Sequence, residues 1–379
     1  MRIRVIGGGP AGLYFAILMK RDDPSHDVRV FERSRRDATW GFGVVFSDRA
    51  LEFLRADDEE MHRYLAPHME TWSDLTIVHR DTRVPISGNG FAAIGRLRLL
   101  NLLHDRADAL GIPIAFETNV RALADVGPAD LFVAADGASS FVRRDNEGRL
   151  GTTVDGRRNR FVWYGTSQRF ETLTLTFRTN EHGVFCAHHY RYAPHMSTFL
   201  VEVDEATFER AGLASMGEAE TIRYCERVFA PELGGHPILS NSSTWRTYAA
   251  VWNERFGFDR VALLGDALRT VHFSIGSGTR LAMEDAVALF KAWKATGDVP
   301  RALARYEELR RPPARKIWDA ANVSLRWYEG MASLMALDPV DLAYAYMVRT
   351  GRVSHADVRR MDRALAEAYE RRHPEVAKG

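Results

Sequence analysis

The sequence predicts an α/β fold, α+β overall: a parallel-sheet unit built to hold a nucleotide, an antiparallel sheet inserted into it, and a helical C-terminal region. Three observations predict it. A glycine-rich turn, Gly7 to Gly12, lies between an apolar strand and an apolar helix at the start of the chain. Between about residues 158 and 257 the apolar residues alternate with a period of two. From Pro300 onward they recur at helical spacing. The 379 residues suit two to three structural units at about 150 residues each.

The first element is the strand of Ile3, Val5 and Ile6, which runs into Gly7-Gly8-Gly9-Pro10-Ala11-Gly12 and then into a helix with Leu13, Ala16, Ile17 and Met19 on its buried side. In this G-x-G-x-x-G spacing Gly7 permits the tight turn, Gly9 lets backbone approach a pyrophosphate, and Gly12 lets the helix pack on the strand. Pro10 and Ala11 complete the first helical turn, whose free amides and positive dipole end suit phosphate. The next strand, Val28 to Phe31, delivers Glu32 and Arg33. Glu32 lies 20 residues past Gly12, where an acid binds ribose hydroxyls. An ordinary glycine-rich turn would not be followed by a strand and an acid at this distance.

Two later strands point to a flavin dinucleotide. Ala129 to Ala135 ends at Asp136-Gly137, and Val261 to Leu264 delivers Gly265-Asp266-Ala267. Open parallel sheets bind ligands beyond such strand ends. An aspartate there can accept a ribityl hydroxyl. Gly276-Ser277-Gly278-Thr279 then opens a helix predicted over Arg280–Lys294, whose amides can face the pyrimidine edge of a flavin.

These residues carry a family resemblance. GGGPAGL (7–13), Glu32, Arg96 in an R-x-x-L helix start, ADG (135–137) and GDA (265–267) resemble the group A flavin-dependent aromatic monooxygenases, of which para-hydroxybenzoate hydroxylase is the familiar type. GFGVVFSD (41–48), WYGTSQ (163–168), MSTFLVE (196–202), HFSIGSGT (272–279), SLRWYE (324–329) and RTGRVS (349–354) look like the salicylyl-CoA 5-hydroxylase and anthraniloyl-CoA monooxygenase branch. The tryptophan hydroxylase of violacein biosynthesis shares WYGTSQ, MSTF and HFSIG, so RTGRVS and VVFSD favour the acyl-CoA branch. One departure stands out: Phe273 and Ser274 occupy the region where the wider family has a proline beside the flavin.

The resemblance implies FAD held by Gly7, Gly9, Pro10, Ala11, Gly12, Glu32, Arg33, Gly43, Val44, Arg96, Asp136, Gly137, Gly265, Asp266, Gly276, Ser277, Gly278 and Thr279. It implies NAD(P)H as co-substrate, meeting the flavin transiently because no second GxGxxG unit exists. Reduced flavin and dioxygen would give a C4a-hydroperoxide that transfers oxygen to an electron-rich ring. Salicylyl-CoA hydroxylated at position 5 to gentisyl-CoA is the first expectation. Anthraniloyl-CoA, or tryptophan or an indole intermediate, is the alternative, and an FAD-binding redox module is the non-oxygenase alternative. A flavin-dependent halogenase is excluded: the Trp-x-Trp-x-Ile-Pro motif is missing and Lys20 is the only lysine before residue 291.

The expected organisation assigns 1–70, 94–157 and 258–299 to FAD binding, 71–93 and 158–257 to a substrate domain, and 300–379 to C-terminal helices. Thr172–Arg178, Val184–Tyr190, Thr198–Val203 and Leu75–Ile86 supply the alternating strands. Ser354 opens a helix with Val358, Met361, Leu365 and Tyr369 on one face, stopped at Pro374. The loop Trp40 to Val45 has glycines on both sides of Phe42 and suits a flavin gate. Phe42, Val45 and Phe273 are expected substrate contacts, and His272, His188 and Tyr190 expected catalytic residues. His272 precedes the flavin-facing turn as proton donor or substrate clamp, while His188 reads equally well as a core histidine. The phosphates of a CoA thioester would meet Arg157, Arg158 and Arg160, or Arg310, Arg311 and Arg315.

Composition excludes several classes. Fifty-one Lys+Arg against 50 Asp+Glu leaves +1, so the global charge footprint for nucleic acid is absent. Two cysteines, Cys186 and Cys225, exclude a disulfide framework and a cysteine-based zinc site. Neither His188 nor His272 pairs with carboxylates at metal-ligand spacing, so no metal is expected, and no GxSxG elbow occurs. The start lacks a signal-peptide pattern and no uncharged run approaches the roughly 18 residues of a membrane span. A cytoplasmic monomer or homodimer is expected.

Overall fold

The computed structural model describes residues 1–376, apart from the side chains of residues 48–51. Its first sheet has six strands in the order Gly257–Phe258, Val261–Leu263, Leu131–Ala134, Arg2–Ile6, Asp27–Phe31, Ile114–Ala115. All neighbours are parallel except the first pair. Ile3 and Val5 are fully buried, because parallel strands are covered on both faces, and Arg4 between them is buried as well, its guanidinium paired with Asp27 at 2.6 Å. The helix Pro10–Asp22 packs against this sheet and against the helices Arg96–Ala109 and Gly278–Thr296. With neighbours on several sides it is buried without a break from Ala11 to Met19, where the spacing predicted a single face.

The second sheet has eight strands. Its order is Ile238–Leu239, Thr152–Thr166, Met196–Val203, Gly183–Ala193, Leu173–Asn180, Leu75–His79, Thr82–Ile86, and Arg246–Asn253 also pairs with Thr152–Thr166. The long strand Thr152–Thr166 serves three partners: Arg246–Asn253 along its first half, with a register shift between Gly156 and Arg160, Met196–Val203 along its second, and Ile238–Leu239 at its end. The sheet therefore starts at Thr152 and not at 158. Leu75–Ile86 is a hairpin turned at Arg80 and Asp81, both at positive φ. Its first strand joins Leu173–Asn180 in parallel, which departs from the all-antiparallel expectation.

Both faces of this sheet are covered. Leu175, Phe177 and Cys186 pack on Tyr328, Met331 and Leu342 of the C-terminal helices. Val162, Phe199 and Val201 pack on Phe208, Tyr224 and Phe229 from the other side. The polar positions of the alternating strands consequently point into protein: Thr176, His188, His189 and Glu202 are all buried. A three-stranded sheet, Gly43–Ser47, Phe91–Gly95 and Glu70–Trp72, completes the β-structure.

The C-terminal region opens with the helix Val299–Glu329. The helix predicted after Ser354 is two helices, His355–Met361 and Arg363–Arg372. Asp362 breaks it: its Oδ1 accepts the Leu365 amide at 2.9 Å and its Oδ2 the Ser87 amide at 2.7 Å. Among the described residues no helix is long and apolar enough to cross a membrane.

Candidate active site and cofactor cleft

The glycine turn has the geometry its spacing requires. Gly7 has φ +106, and a Cβ there would lie 2.1 Å from the Ala135 carbonyl oxygen. A Cβ on Gly12 would lie 2.1 Å from the Gly7 carbonyl oxygen. At Gly9 a Cβ would meet nothing within 4 Å, because this residue faces an open cleft. The cleft holds about 500 Å³, and its lining includes Gly9, Glu32, Arg33, Arg96, Asp136 and Gly137. No side chain caps the helix that starts at Pro10, and its first turn carries no acid. Anionic phosphate is favoured there by the free amides and the dipole.

Two carboxylates serve the cleft. Glu32 accepts the Gly8 amide at 2.7 Å on Oε2 and the Ser34 amide at 2.8 Å on Oε1, which orients it and leaves a lone pair on each oxygen. Asp136 accepts the Phe141 amide at 2.9 Å on Oδ2. Its Oδ1 is buried without a partner among the described residues, and burial pushes its carboxyl upward. A buried oxygen left unpaired costs about 1–3 kcal/mol, so a hydroxyl donor of a bound dinucleotide fits there. The residues present fit FAD.

The second half of the site is the turn Gly265–Ala267 at the end of Val261–Leu263. Asp266 is exposed at this turn, yet the protein mass around it pushes its carboxyl upward, opposed chiefly by Arg96 of the cleft lining. Arg96 is fixed in turn by a bond from Nε to Thr39 Oγ1 at 3.1 Å. Beyond the turn, Gly276 has φ +59 and the helix Gly278–Thr296 starts two residues earlier than predicted, without a side-chain cap. Val45 touches this segment: a Cβ on Gly276 would lie 3.0 Å from its Cγ1.

The loop before the strand Gly43–Ser47 is anchored to the second sheet. The Gly43 amide donates to Thr198 Oγ1 at 2.9 Å, and Tyr190 donates its hydroxyl to the Gly43 carbonyl at 2.9 Å. Phe42 lies on Gly165, where a Cβ would come 2.4 Å from its ring. Asn241 donates to the carbonyls of Thr39 and Gly41 at 2.9 and 3.2 Å.

On the face of the second sheet that the C-terminal helices cover, a buried polar cluster forms around Glu202. The register pairs Glu202 with Phe161 on one neighbouring strand and with Cys186 on the other, so Asn159 and His188 flank it two residues along. Glu202 is 1% exposed. Asn159 Nδ2 donates to its Oε1 at 2.8 Å, His188 Nε2 lies 3.3 Å from its Oε2, and His272 Nε2 lies 4.0 Å from its Oε1. Burial alone would push the Glu202 carboxyl upward; the hydrogen bond from His188 and the nearby His272 hold it below the usual range.

His272 is locked by its own loop. Its Nδ1 accepts the Ser274 amide at 3.4 Å and lies 2.9 Å from Ser274 Oγ. A backbone N–H can only donate, so Nδ1 carries the lone pair and Nε2 carries the proton that faces Glu202. Burial lowers His272 to about 4. The network continues from Ser274 Oγ to Ser324 Oγ at 2.8 Å, and Arg349 donates to Ser324 Oγ at 2.9 Å and to the Ser274 carbonyl at 3.0 Å. Aromatic rings wall the cluster: Phe161 on Phe273 at 4.9 Å, His188 on Phe273 at 5.4 Å and His188 on Tyr328 at 5.0 Å between centroids.

Comparison with known proteins gives the chemistry a family. The FAD binding domain family matches residues 128–321, and the NAD(P)-binding Rossmann-like domain family matches residues 5–79. Salicyloyl-CoA 5-hydroxylase from Streptomyces sp is 39% identical over 377 residues, 96% of this chain and 73% of that protein. The chain belongs to the FAD-dependent aromatic monooxygenases. Protodeoxyviolaceinate monooxygenase from Chromobacterium violaceum is 34% identical over 92% of this chain and 94% of its own. The solved structure of tetrameric 2-methyl-3-hydroxypyridine-5-carboxylic acid oxygenase shares the fold at a TM-score of 0.70, with 19% identity and coverage of 95% and 97%.

This monooxygenase uses FAD, with NAD(P)H as co-substrate, to hydroxylate a small aromatic molecule. The structure brings together His188, His272 and Phe273 of the sequence-predicted reaction residues. Tyr190 is different: its hydroxyl is engaged by the Gly43 carbonyl and its ring stacks on Trp72, so it braces the loop and stands outside the Glu202 cluster. Arg310 is no surface residue for a phosphate, because it is 6% exposed and pairs with Asp285 and Glu284 in the core. Arg157 is paired with Glu329 and Asp155, and Arg315 with Asp319. Arg158 remains exposed. Sequence reasoning missed Glu202, Asn159, Tyr328, Ser324 and Arg349. Four of the five lie in or at the ends of MSTFLVE, SLRWYE and RTGRVS, motifs read without a role for each residue. Among the described residues no group of His, Cys, Asp or Glu is arranged to hold a metal ion.

Proposed function

We propose that this monooxygenase hydroxylates the ring of an aromatic acyl-CoA, salicyloyl-CoA at position 5 before anthraniloyl-CoA. The observation that carries the reading is the charge of the Glu202 cluster. Glu202 is a buried carboxylate held by the Asn159 amide and the His188 imidazole, with His272 4.0 Å away, and no arginine pairs with it among the described residues. The cations nearby are engaged elsewhere: Arg157 with Glu329, and Arg349 with Ser324 and the carbonyls of Ser274 and Tyr346. A free benzoate would bring a second buried negative charge with no counter-ion, which is strongly unfavourable. A thioester presents a neutral acyl group. The relation to a salicyloyl-CoA hydroxylase supports the same choice over an indole.

Glu32, Asp136, Asp266, Arg96 and the amides of the two helix starts would hold FAD. When bound there, FAD would supply the redox chemistry of ring hydroxylation, with NAD(P)H as reductant and dioxygen as oxygen source. The protein's own part is orientation and exclusion of water. Phe273 and Phe161 provide the apolar wall, and Phe42, packed on Gly165, closes the side toward the loop. Arg158, exposed and with no carboxylate partner for its side chain among the described residues, is left for the CoA phosphates, whereas the exposed Arg311 and Arg315 face Glu307 and Asp319.

The test is a steady-state screen of NAD(P)H oxidation with product analysis on salicyloyl-CoA, anthraniloyl-CoA, free salicylate, tryptophan and indole. Product matching NAD(P)H consumed on a thioester, with free salicylate inert, is the expected result. Hydroxylation of the indoles alone would overturn the thioester reading.

A further inference from the structure

Two histidines face Glu202, and their surroundings separate their roles. The lone-pair nitrogen of His272, Nδ1, is committed to the amide and hydroxyl of Ser274, and its Nε2–H lies 4.0 Å from Glu202, so this ring has no free lone pair to take a proton. His188 directs Nε2 to Glu202 Oε2 at 3.3 Å, with Cys186 Sγ at 3.7 Å from the same nitrogen. A carboxylate only accepts, so Nε2 carries the proton and Nδ1 the lone pair. That Nδ1 has no hydrogen-bond partner among the described residues, and His188 is the more open of the two rings at 7% exposure against 2%. Beside it the Tyr328 hydroxyl is fully buried and also unpartnered. Phe273, from the flavin-facing turn, meets the His188 ring edge-on at 88°.

We infer that His188, held by Glu202, is the group that takes the proton from the hydroxyl or amino substituent of the substrate ring during hydroxylation. The inference rests on the proposed ring class and adds to it that the substrate must carry an O–H or N–H para to the carbon that gains oxygen. Oxygen addition at that carbon leaves positive charge that spreads onto the substituent. The substituent's O–H (or N–H) bond then breaks, its electron pair forms the C=O (or C=N) bond, and the proton goes to His188 Nδ1. The imidazolium is paired with the Glu202 carboxylate through Nε2–H, the arrangement in which an acid orients a histidine base. The hydrogen on the newly oxygenated carbon next leaves to water. The proton on His188 returns to the substituent and the ring is aromatic again. Glu202 acts through His188 and is a positioning residue.

The experiment uses the full-length FAD-loaded enzyme and whichever ring substrate the wild type hydroxylates best. Product formation is followed against pH for wild type, His188→Gln and Glu202→Gln, together with the product formed per NAD(P)H consumed. General-base loss lowers turnover by about 10²–10⁴-fold, so His188→Gln should lose product to that extent while NAD(P)H oxidation continues and yields hydrogen peroxide. Its product rate should also lose the acid limb. Glu202→Gln should keep an acid limb displaced to lower pH, which a loss of packing alone would not do. The O-methyl ether of the same substrate has no proton to give, so on it the wild-type to His188→Gln ratio should fall to near one. A wild-type pH profile in both variants, or an unchanged ratio on the ether, would overturn the inference. If His188→Gln does not fold, the isosteric Glu202→Gln decides through its acid limb. A wild type that rejects thioesters and hydroxylates another phenol sinks the substrate reading alone, and the dyad is then judged on that phenol.

Discussion

Asp285 receives Arg269 in a two-pronged pair, Nη1 to Oδ2 at 2.7 Å and Nη2 to Oδ1 at 2.9 Å, and the same carboxylate accepts the Gly265 amide at 3.0 Å. Arg310 adds its Nε at 2.7 Å. The cluster thus fixes the turn that carries Asp266. Removing one partner of such a pair strands the buried charge of the others and costs about 3–5 kcal/mol. Asp285→Ala is expected to lose stability of that order in denaturant unfolding and to bind FAD more weakly. A loss below 1 kcal/mol would show that the cluster does not hold the turn.

The two glycines of the opening helix should part company. Gly12→Ala places a Cβ against the Gly7 carbonyl and Val5, so it should fail to fold or lose the strand–helix packing. Gly9→Ala adds a methyl to open cleft, so the apoprotein should unfold at the wild-type temperature while FAD affinity falls. Thermal unfolding with and without FAD separates the two. Equal destabilisation of both apoproteins would contradict this placement of the phosphate site.

Acid should destabilise the fold through His272. Its folded value is lowered to about 4 from 6.5, so below pH 6.5 the unfolded chain binds a proton that the folded chain refuses until about pH 4. Stability therefore falls as pH drops through that window, by up to about 3 kcal/mol from this group. The fully buried His189, also lowered, acts in the same direction. Unfolding free energy between pH 7 and 4.5 should have a smaller slope in His272→Gln than in wild type. An unchanged slope would mean that His272 is not held neutral.

Tyr190→Phe removes the bond to the Gly43 carbonyl and nothing from the Glu202 cluster. It should cost about 1–3 kcal/mol for the carbonyl left unpaired and weaken FAD binding through the loop. The pH profile of product formation should keep its shape. A lost limb in that profile would restore Tyr190 as a proton-transfer residue.

The cofactor half of the site was legible because it is local. Gly7, Gly9, Gly12 and Glu32 are tied by one turn and one strand–helix–strand unit, so spacing alone places them. The reaction half was not. Asn159, His188 and Glu202 come from three adjacent strands, and a one-residue change of register would turn each to the opposite face. The alternation of Thr198–Val203 was visible, but an alternating strand is ordinarily wet on its polar face. Here helices cover both faces, which converts Glu202 from a surface acid into a buried one. Arg310 misled for the same reason: its neighbours Arg311 and Arg315 are exposed, and only the partner helix with Asp285 reveals that it points inward.

The most direct measurement is turnover of salicyloyl-CoA by the FAD-loaded enzyme with NAD(P)H under ¹⁸O₂, with mass and position of the label read on the product. The account predicts one labelled oxygen on the ring carbon para to the hydroxyl, in step with NAD(P)H consumed. NAD(P)H oxidation that ends in hydrogen peroxide with the thioester unchanged, under conditions where an indole becomes labelled, would contradict it.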